Sequence, residues 1–326
     1  MQYRTLGRTG VQVSQLCFGT MSFGGDADEQ ASAGMYTRCR DAGINFFDTA
    51  DVYTKGRSEE ILGKLIRGHR DELVITTKGH QPTGPDVNAQ GASRRHLTMA
   101  VEASLKRLGT DRVEVYFLHM HDPKTPLDEA MRALEDLVRA GKILYPAVSN
   151  YAAWQVQQAL GIQARHGWAR MQVVQPMYNL VKRQAEVELL PMALDNGVGV
   201  ITYSPIGGGM LSGKYTRAKK PDAGRFLVNK MYQVRYGEEW MQETAVRFTE
   251  FCEKRRYHPV SLAVAWVGSH PAITAPIIGA RSVEQLEASL KSVEIAMTPE
   301  LRAEVSALSP TPAPATDRSE ENKPAK

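Results

Sequence analysis

Short apolar runs along the chain close on polar residues able to do chemistry: Asp48, Lys78, His119, the pair Ser149-Asn150, Gln175 and Tyr203. Tyr53 follows Asp48 by five residues, in what reads as the loop above the same run. A free tyrosine, with a pKa near 10, is a poor proton donor at neutral pH. A neighbouring ammonium stabilises the phenolate and lowers that pKa, so Lys78 can tune Tyr53, and Asp48 can hold Lys78 in place and charged. Each tenfold gain in ionisation needs only about 1.4 kcal/mol of coupling. A neutral His119 can donate a hydrogen bond to a substrate oxygen. Together the four suit proton transfer to a carbonyl oxygen while something else attacks the carbon. No Ser or Cys nucleophile is paired with a base, so acyl transfer is not favoured.

Such residues must be brought together by the elements that carry them. Eight runs rich in Val, Ile, Phe and Tyr read as buried parallel strands: 16–19, 44–47, 73–77, 113–118, 143–148, 171–175, 199–203 and 276–278. Helical stretches separate them. Several end on a glycine that can stop a helix by turning left-handed: Gly43, Gly109, Gly141 and Gly197. Ser58 and Ser93 stand where N-caps belong. Eight strands alternating with helices predict an α/β fold, a (β/α)8 TIM barrel, whose catalytic groups sit at the C-terminal strand ends. A doubly wound sheet with a second domain is the competitor, but the rhythm does not break midway and no linker intervenes. Residues 3–6 and 11–14, around Gly7-Arg8-Thr9-Gly10, read as an N-terminal β-hairpin under the barrel. Residues 1–308 are expected to be one barrel domain, residues 214–239 a lid-type loop, and residues 309–326, rich in Pro, Ala and charge, a disordered tail.

The composition is that of a globular protein. Of 326 residues 42% are hydrophobic and 23% charged, and 40 Lys and Arg against 36 Asp and Glu leave a net charge of +4. That small excess argues against a nucleic-acid partner. No apolar run reaches the roughly 18 residues of a membrane span, and the first ten residues hold no signal-peptide core. Cys17, Cys39 and Cys252 form no CxxC pair, which predicts a reducing, cytoplasmic setting. Cys17 and Cys39, among apolar neighbours, are expected in the core, and Trp154, Trp168, Trp240 and Trp266 are expected to pack helices.

Taken in order, several motifs resemble the aldo-keto reductase family over nearly the whole chain. They are Gly19-Thr20-Met21-Ser22-Phe23-Gly24-Gly25, Asn45-Phe46-Phe47-Asp48-Thr49-Ala50-Asp51-Val52-Tyr53, Ile75-Thr76-Thr77-Lys78, Leu118-His119, Val148-Ser149-Asn150, Tyr203-Ser204-Pro205 with the glycines that follow, and Ile278-Gly279-Ala280-Arg281. The resemblance implies a (β/α)8 barrel that reduces an aldehyde or ketone with NADPH and without metal. It places the tetrad on Asp48, Tyr53, Lys78 and His119, with Tyr53 as general acid. It implies that Ser149, Asn150 and Gln175 bind the nicotinamide carboxamide, that Tyr203 stacks on the ring, and that Gly19, Thr20 and Met21 line that end. Ser204, Pro205, Ile206, Gly207, Gly208, Gly209 and Lys214 would wrap the pyrophosphate. Arg281, beside Gly279, Ala280 and Gln285, suits a 2′-phosphate, which favours NADPH over NADH. The chain departs from the family's frequent Glu-Asn at Ala288-Ser289, a site of adenine contacts. The chain resembles potassium-channel β subunits too, which share the barrel and bind NADP. A regulatory, redox-sensing subunit with little turnover is therefore the second reading.

Three further signals compete. Residues 208–215 nearly match a P-loop, but Tyr215 stands where Ser or Thr must reach magnesium. His119-Met120-His121 is an HxH pair without the further ligands a catalytic metal wants. Tyr178 and Lys182 match the Tyr-x-x-x-Lys pair of short-chain dehydrogenases, without a glycine fingerprint near the N-terminus. Under the reductase reading His121 is a pocket wall and hints at a polar or sugar-derived carbonyl. Substrate choice is expected to lie with Val52, His80, Met120, His121 and residues 214–239.

Overall fold

Residues 1–216, 229–318 and 320 are described by the structure, a computed structural model. β1 (Tyr3–Thr5) and β2 (Gln12–Ser14) pair antiparallel as the expected hairpin. Each of the eight apolar runs then contributes a strand: β3 (Cys17–Gly19), β4 (Phe46–Asp48), β5 (Val74–Gly79), β6 (Val113–Leu118), β7 (Ile143–Ser149), β8 (Val173–Gln175), β9 (Gly199–Thr202) and β10 (Ala275–Ile278). They close into a parallel barrel in the order β10-β3-β4-β5-β6-β7-β8-β9. The (β/α)8 expectation holds.

Between and after the strands run α1 (Glu29–Asp41), α2 (Arg57–Leu65), α3 (Arg94–Leu108), α4 (Leu127–Arg139), α5 (Ala153–His166), α6 (Leu189–Asp195), α7 (Lys230–Tyr236), α8 (Glu239–Arg255), α9 (Pro259–Gly268), α10 (Val283–Leu290) and α11 (Pro299–Ser306). The four stop glycines all take positive φ, between 62° and 83°. Strand starts shift where helix ends claim backbone groups. Ile44 N–H donates to Cys39 O at the end of α1, so β4 begins at Phe46. Met171 N–H is taken by the Gln163 side chain, so β8 begins at Val173. Ser93 caps α3 by accepting from His96 N–H. Ser58 does not cap: α2 starts at Arg57 behind Gly56, and the Ser58 hydroxyl is buried against Thr20 and Thr49.

Strand alternation separates two cores. Cys17, Phe46, Val74, Val115, Phe117, Ala147, Val173, Ile201, Ala275 and Ile277 fill the barrel, and Leu6 and Val13 of the hairpin plug its floor. Their strand neighbours Phe18, Phe47, Ile75, Tyr116, Val148, Val174, Val200 and Ile278 face the helices. Cys17, Cys39 and Cys252 are free and buried. Trp266 stacks on Tyr178, and Trp168, just beyond α5, stacks on His166. Trp154 departs from expectation, being 63% exposed on α5. Part of the expected lid is helical, α7 and the start of α8, and residues 217–228 lie outside the described residues. Of the expected tail, residues 319 and 321–326 also lie outside them.

Candidate functional site

The period of two that fills the barrel also builds its mouth. Asp48 lies two residues beyond inward-facing Phe46, Lys78 two beyond Thr76, His119 two beyond Phe117, Ser149 two beyond Ala147, Gln175 two beyond Val173 and Tyr203 two beyond Ile201. Parallel pairing aligns these ends: Asp48 sits opposite Thr76 and Gly19, Lys78 opposite Phe117, and Ser149 opposite Gln175.

Lys78 and Asp48 are both buried, and the ammonium lies 2.6 Å from Asp48 Oδ2. Lys78 Nζ also donates to Thr49 O at 2.7 Å and to the Tyr53 hydroxyl oxygen at 3.3 Å. An ammonium has three protons, and these acceptors take all three. Because Tyr53 accepts from Lys78, its own proton points elsewhere. Asp48 Oδ1 accepts from Thr76 Oγ1 at 2.6 Å and Gln175 Nε2 at 2.9 Å, so the buried carboxylate is fully bonded. Burial works against the Lys78 charge, but Asp48 and Tyr53 outweigh it and raise its pKa. The Tyr53 pKa differs from the sequence expectation. Burial pushes it up, and the opposing pull of Lys78 does not prevail. His119 is held neutral, pushed down to about 3 by burial and by the charge of Lys78. Its ring meets Tyr53 edge-on at 6.1 Å, and its buried Nδ1 has no hydrogen-bond partner.

Ser149, Asn150, Gln175 and Tyr203 come together and bond to one another. Ser149 Oγ donates to Gln175 O at 2.9 Å. Asn150 Nδ2 donates to His119 O and Ser149 Oγ, while Asn150 Oδ1 accepts from Tyr203 Oη at 2.7 Å. Asn150 and Ser204 hold left-handed backbone, with φ of 56° and 57°. His121 is half-buried, edge-on to Tyr151 at 5.3 Å. His80 follows β5 with a φ of 137° and both ring nitrogens buried and unbonded. Among the described residues no three His, Cys, Asp or Glu are placed to hold a metal ion. Tyr178 is no catalytic pair for Lys182: it is buried against Trp266 and donates to Glu186.

A family model described as "Aldo/keto reductase family" matches residues 15–309. The chain belongs to the aldo/keto reductase family. An uncharacterized oxidoreductase, YrpG, from Bacillus subtilis is 37% identical, covering 96% of this chain and 97% of that protein. A probable voltage-gated potassium channel subunit beta from Arabidopsis thaliana is 35% identical over 90% and 92%. Versiconal hemiacetal acetate reductase from Aspergillus parasiticus is 34% identical over 92% and 94%.

The other positions expected from the aldo/keto reductase resemblance lie around the rim. Gly19 is half-buried and Met21 is 49% exposed, but the Thr20 hydroxyl is buried, bonded to Asp48 O and Ser58. Thr20 thus supports Asp48 from below, and only its backbone is left to line a ligand. Residues 204–209 form a tight turn that ends on the three glycines Gly207–Gly209. Gly208 has a φ of 65°, and a Cβ there would strike the Tyr232 ring at 2.4 Å. Lys214, Gly279 and Gln285 are exposed, and Gln285 Oε1 accepts from Arg281 N–H. Arg281 is 46% exposed and pairs with Asp26 at 3.0 Å. Glycine backbone at 207–209 and the exposed cations Lys214 and Arg281 are groups chemically suited to phosphate.

Two supports escaped the sequence reading. Thr76 shares the inward parity of Lys78, a signal that could have found it. Asn179 is buried and donates to Ser204 O at 2.9 Å while accepting from Val181 N–H, which pins the start of the glycine turn. Its place in an irregular loop leaves no periodic signal.

Proposed function

We propose that the protein reduces an aldehyde or ketone to an alcohol with NADPH, residues 1–308 acting as one cytoplasmic barrel domain. The observation that carries this reading is the direction of the Lys78–Tyr53 hydrogen bond. Tyr53 accepts from the ammonium, so its hydroxyl proton is left to face a substrate oxygen. Bound NADPH would supply hydride to the carbonyl carbon. Tyr53 would donate its proton to the oxygen, and Lys78 would stabilise the phenolate left behind. Neutral His119 would orient the carbonyl through Nε2, which requires Nδ1 to be the unprotonated nitrogen. One of the two Gln175 Nε2 protons goes to Asp48, so toward a carboxamide Gln175 would offer Oε1 as acceptor or the remaining Nε2 proton as donor. The Tyr203 ring, tethered by Asn150, would stack on the nicotinamide and fix the face that delivers hydride. Residues 204–209 with Lys214 would hold the pyrophosphate, and Arg281 the 2′-phosphate. The same groups run in reverse for alcohol oxidation. His121 favours a polar or sugar-derived carbonyl.

Loss of the reduced-nicotinamide absorbance against a panel of aldehydes, ketones and oxidised sugars tests this. Tyr53→Phe should cost about 10²–10⁴-fold in turnover, the range for a general acid, and leave NADPH affinity within a few-fold. Near-normal turnover would remove Tyr53 as the acid. The likeness to channel β subunits supports a second reading, a regulatory NADP-binding subunit. Tight NADPH binding without turnover on any carbonyl would favour it.

A further inference from the structure

Behind the loop that carries Tyr53 lies a polar layer in which Asp51, Glu59, Arg107 and Tyr116 have no part in the chemistry above. Asp51 is 3% exposed, and no side chain hydrogen-bonds to either of its carboxyl oxygens. The charged and titratable groups that face it are Glu59 from α2, Lys78 from β5, Arg107 from α3 and Tyr116 from β6. Glu59 is fully buried and already takes up the donors of this layer. It accepts from Thr77 Oγ1 at 2.5 Å and from Arg107 Nε at 2.6 Å. All three Lys78 protons are engaged elsewhere. A second carboxylate at Asp51 would have to share Arg107 with Glu59. On the β5 side the Tyr116 hydroxyl is likewise buried without a hydrogen-bond partner, and it sits so close to the strand that a Cβ on Gly79 would meet it at 2.0 Å. Burial first, and Glu59 second, push the Asp51 carboxyl up to about 7.

Asp51 is also the joint between two catalytic segments. Its N–H donates to Lys78 O at 3.1 Å, and Tyr53 N–H donates to Ala50 O at 3.2 Å. Displacing Asp51 therefore pulls on the backbone of Lys78 and on the turn that aims Tyr53. We propose that Asp51, in its protonated form, is a positioning residue that seats the Tyr53 loop on β5, and that its ionisation unseats the loop and slows reduction. The proposal rests on the reductase reading. An acid that titrates higher folded than unfolded keeps its proton on folding. Its contribution to stability is whole below the ordinary carboxyl range, erodes as pH rises, and is gone above about 7.

Asp51→Asn keeps the shape of the neutral acid and cannot ionise. In the full chain, wild-type kcat should fall several-fold as pH rises through the neutral range, with KM for NADPH unmoved. Asp51→Asn should lack that limb, and its thermal midpoint should gain on wild type as pH rises. Glu59→Gln removes the like charge and should move the wild-type limb to lower pH. If Asp51→Asn does not fold, Glu59→Gln alone decides, and an unmoved limb overturns the proposal. So does an Asp51→Asn variant with the wild-type profile, or a midpoint difference that ignores pH. Absence of turnover at every pH would instead refute the reductase reading. The stability difference needs no substrate and would still stand or fall with Asp51.

Discussion

The inner and outer halves of the barrel mouth are built on opposite terms. In the inner half, Asp48 and Lys78 are buried and every proton of the ammonium has an acceptor inside the protein. In the outer half, Lys214 is exposed and Arg281 is 46% exposed, paired across the surface to Asp26. A buried pair is dear to break, because each ion left alone has lost its water. An exposed pair is cheap to exchange for a better partner. The inner half is thus preorganised, and the outer half is a set of charges that a ligand can reassign. Backbone strain follows the same line. Among the described residues seven non-glycines have positive φ, and five of them, Thr54, Lys55, His80, Asn150 and Ser204, sit in loops at the mouth. Strain of this kind persists where surrounding bonds over-determine it, as the Asn150 and Asn179 networks do.

Lys78→Met breaks the inner half most sharply. It leaves the Asp48 carboxylate buried with only Thr76 and Gln175 as donors. The expected cost is about 3–5 kcal/mol of folding stability, the range for a buried charge stripped of its partner. Turnover should fall even further than in Tyr53→Phe, because Tyr53 loses both its orienting donor and the charge that stabilises its phenolate. Chemical denaturation and turnover on one preparation check both parts. A variant as stable as wild type would mean that Asp48 takes up a proton without strain, and the contrast drawn here would weaken.

The inner half was also the more legible in the sequence. Asp48, Lys78, His119, Ser149 and Gln175 announce themselves because each strand's alternation runs out of apolar residues at its C-terminal end. The register of a parallel barrel then carries them to one place. The stop glycines were readable for an equally local reason. Depth was not readable. The upward push on Tyr53 comes from burial, which no spacing of residues reports. Pairs joined only by the fold were hidden too. Arg281 reads in the sequence as a partner for a 2′-phosphate, but its pairing with Asp26, from the opposite end of the chain, does not show there. Ser58 looked like a cap because its neighbours are helical. Its hydroxyl is instead buried against Thr20 and Thr49 by the packing of α2 on the barrel.

Arg281→Ala tests the outer half alone. A charge-assisted hydrogen bond contributes about 1.5–3 kcal/mol, and exposure at the rim brings that toward the lower end. NADPH affinity should fall about tenfold, NADH affinity far less, and folding stability should hardly move. Fluorescence titration with both nucleotides measures the ratio. Equal losses for the two would contradict a 2′-phosphate at Arg281 and make it a general contact to the nucleotide.

Asp26→Asn gives the smallest effect and the finest test of the idea that a ligand reassigns the outer charges. If Asp26 competes with the 2′-phosphate for the Arg281 guanidinium, removing its charge should tighten NADPH and leave NADH where it was. An exposed pair of this kind is worth at most about 1 kcal/mol, so the gain is capped near fivefold. Salt weakens interactions between exposed charges, so the gain should shrink as ionic strength rises. Weaker NADPH binding in Asp26→Asn would reverse the argument. The carboxylate would then hold the guanidinium in its binding pose, and the outer half would be preorganised after all.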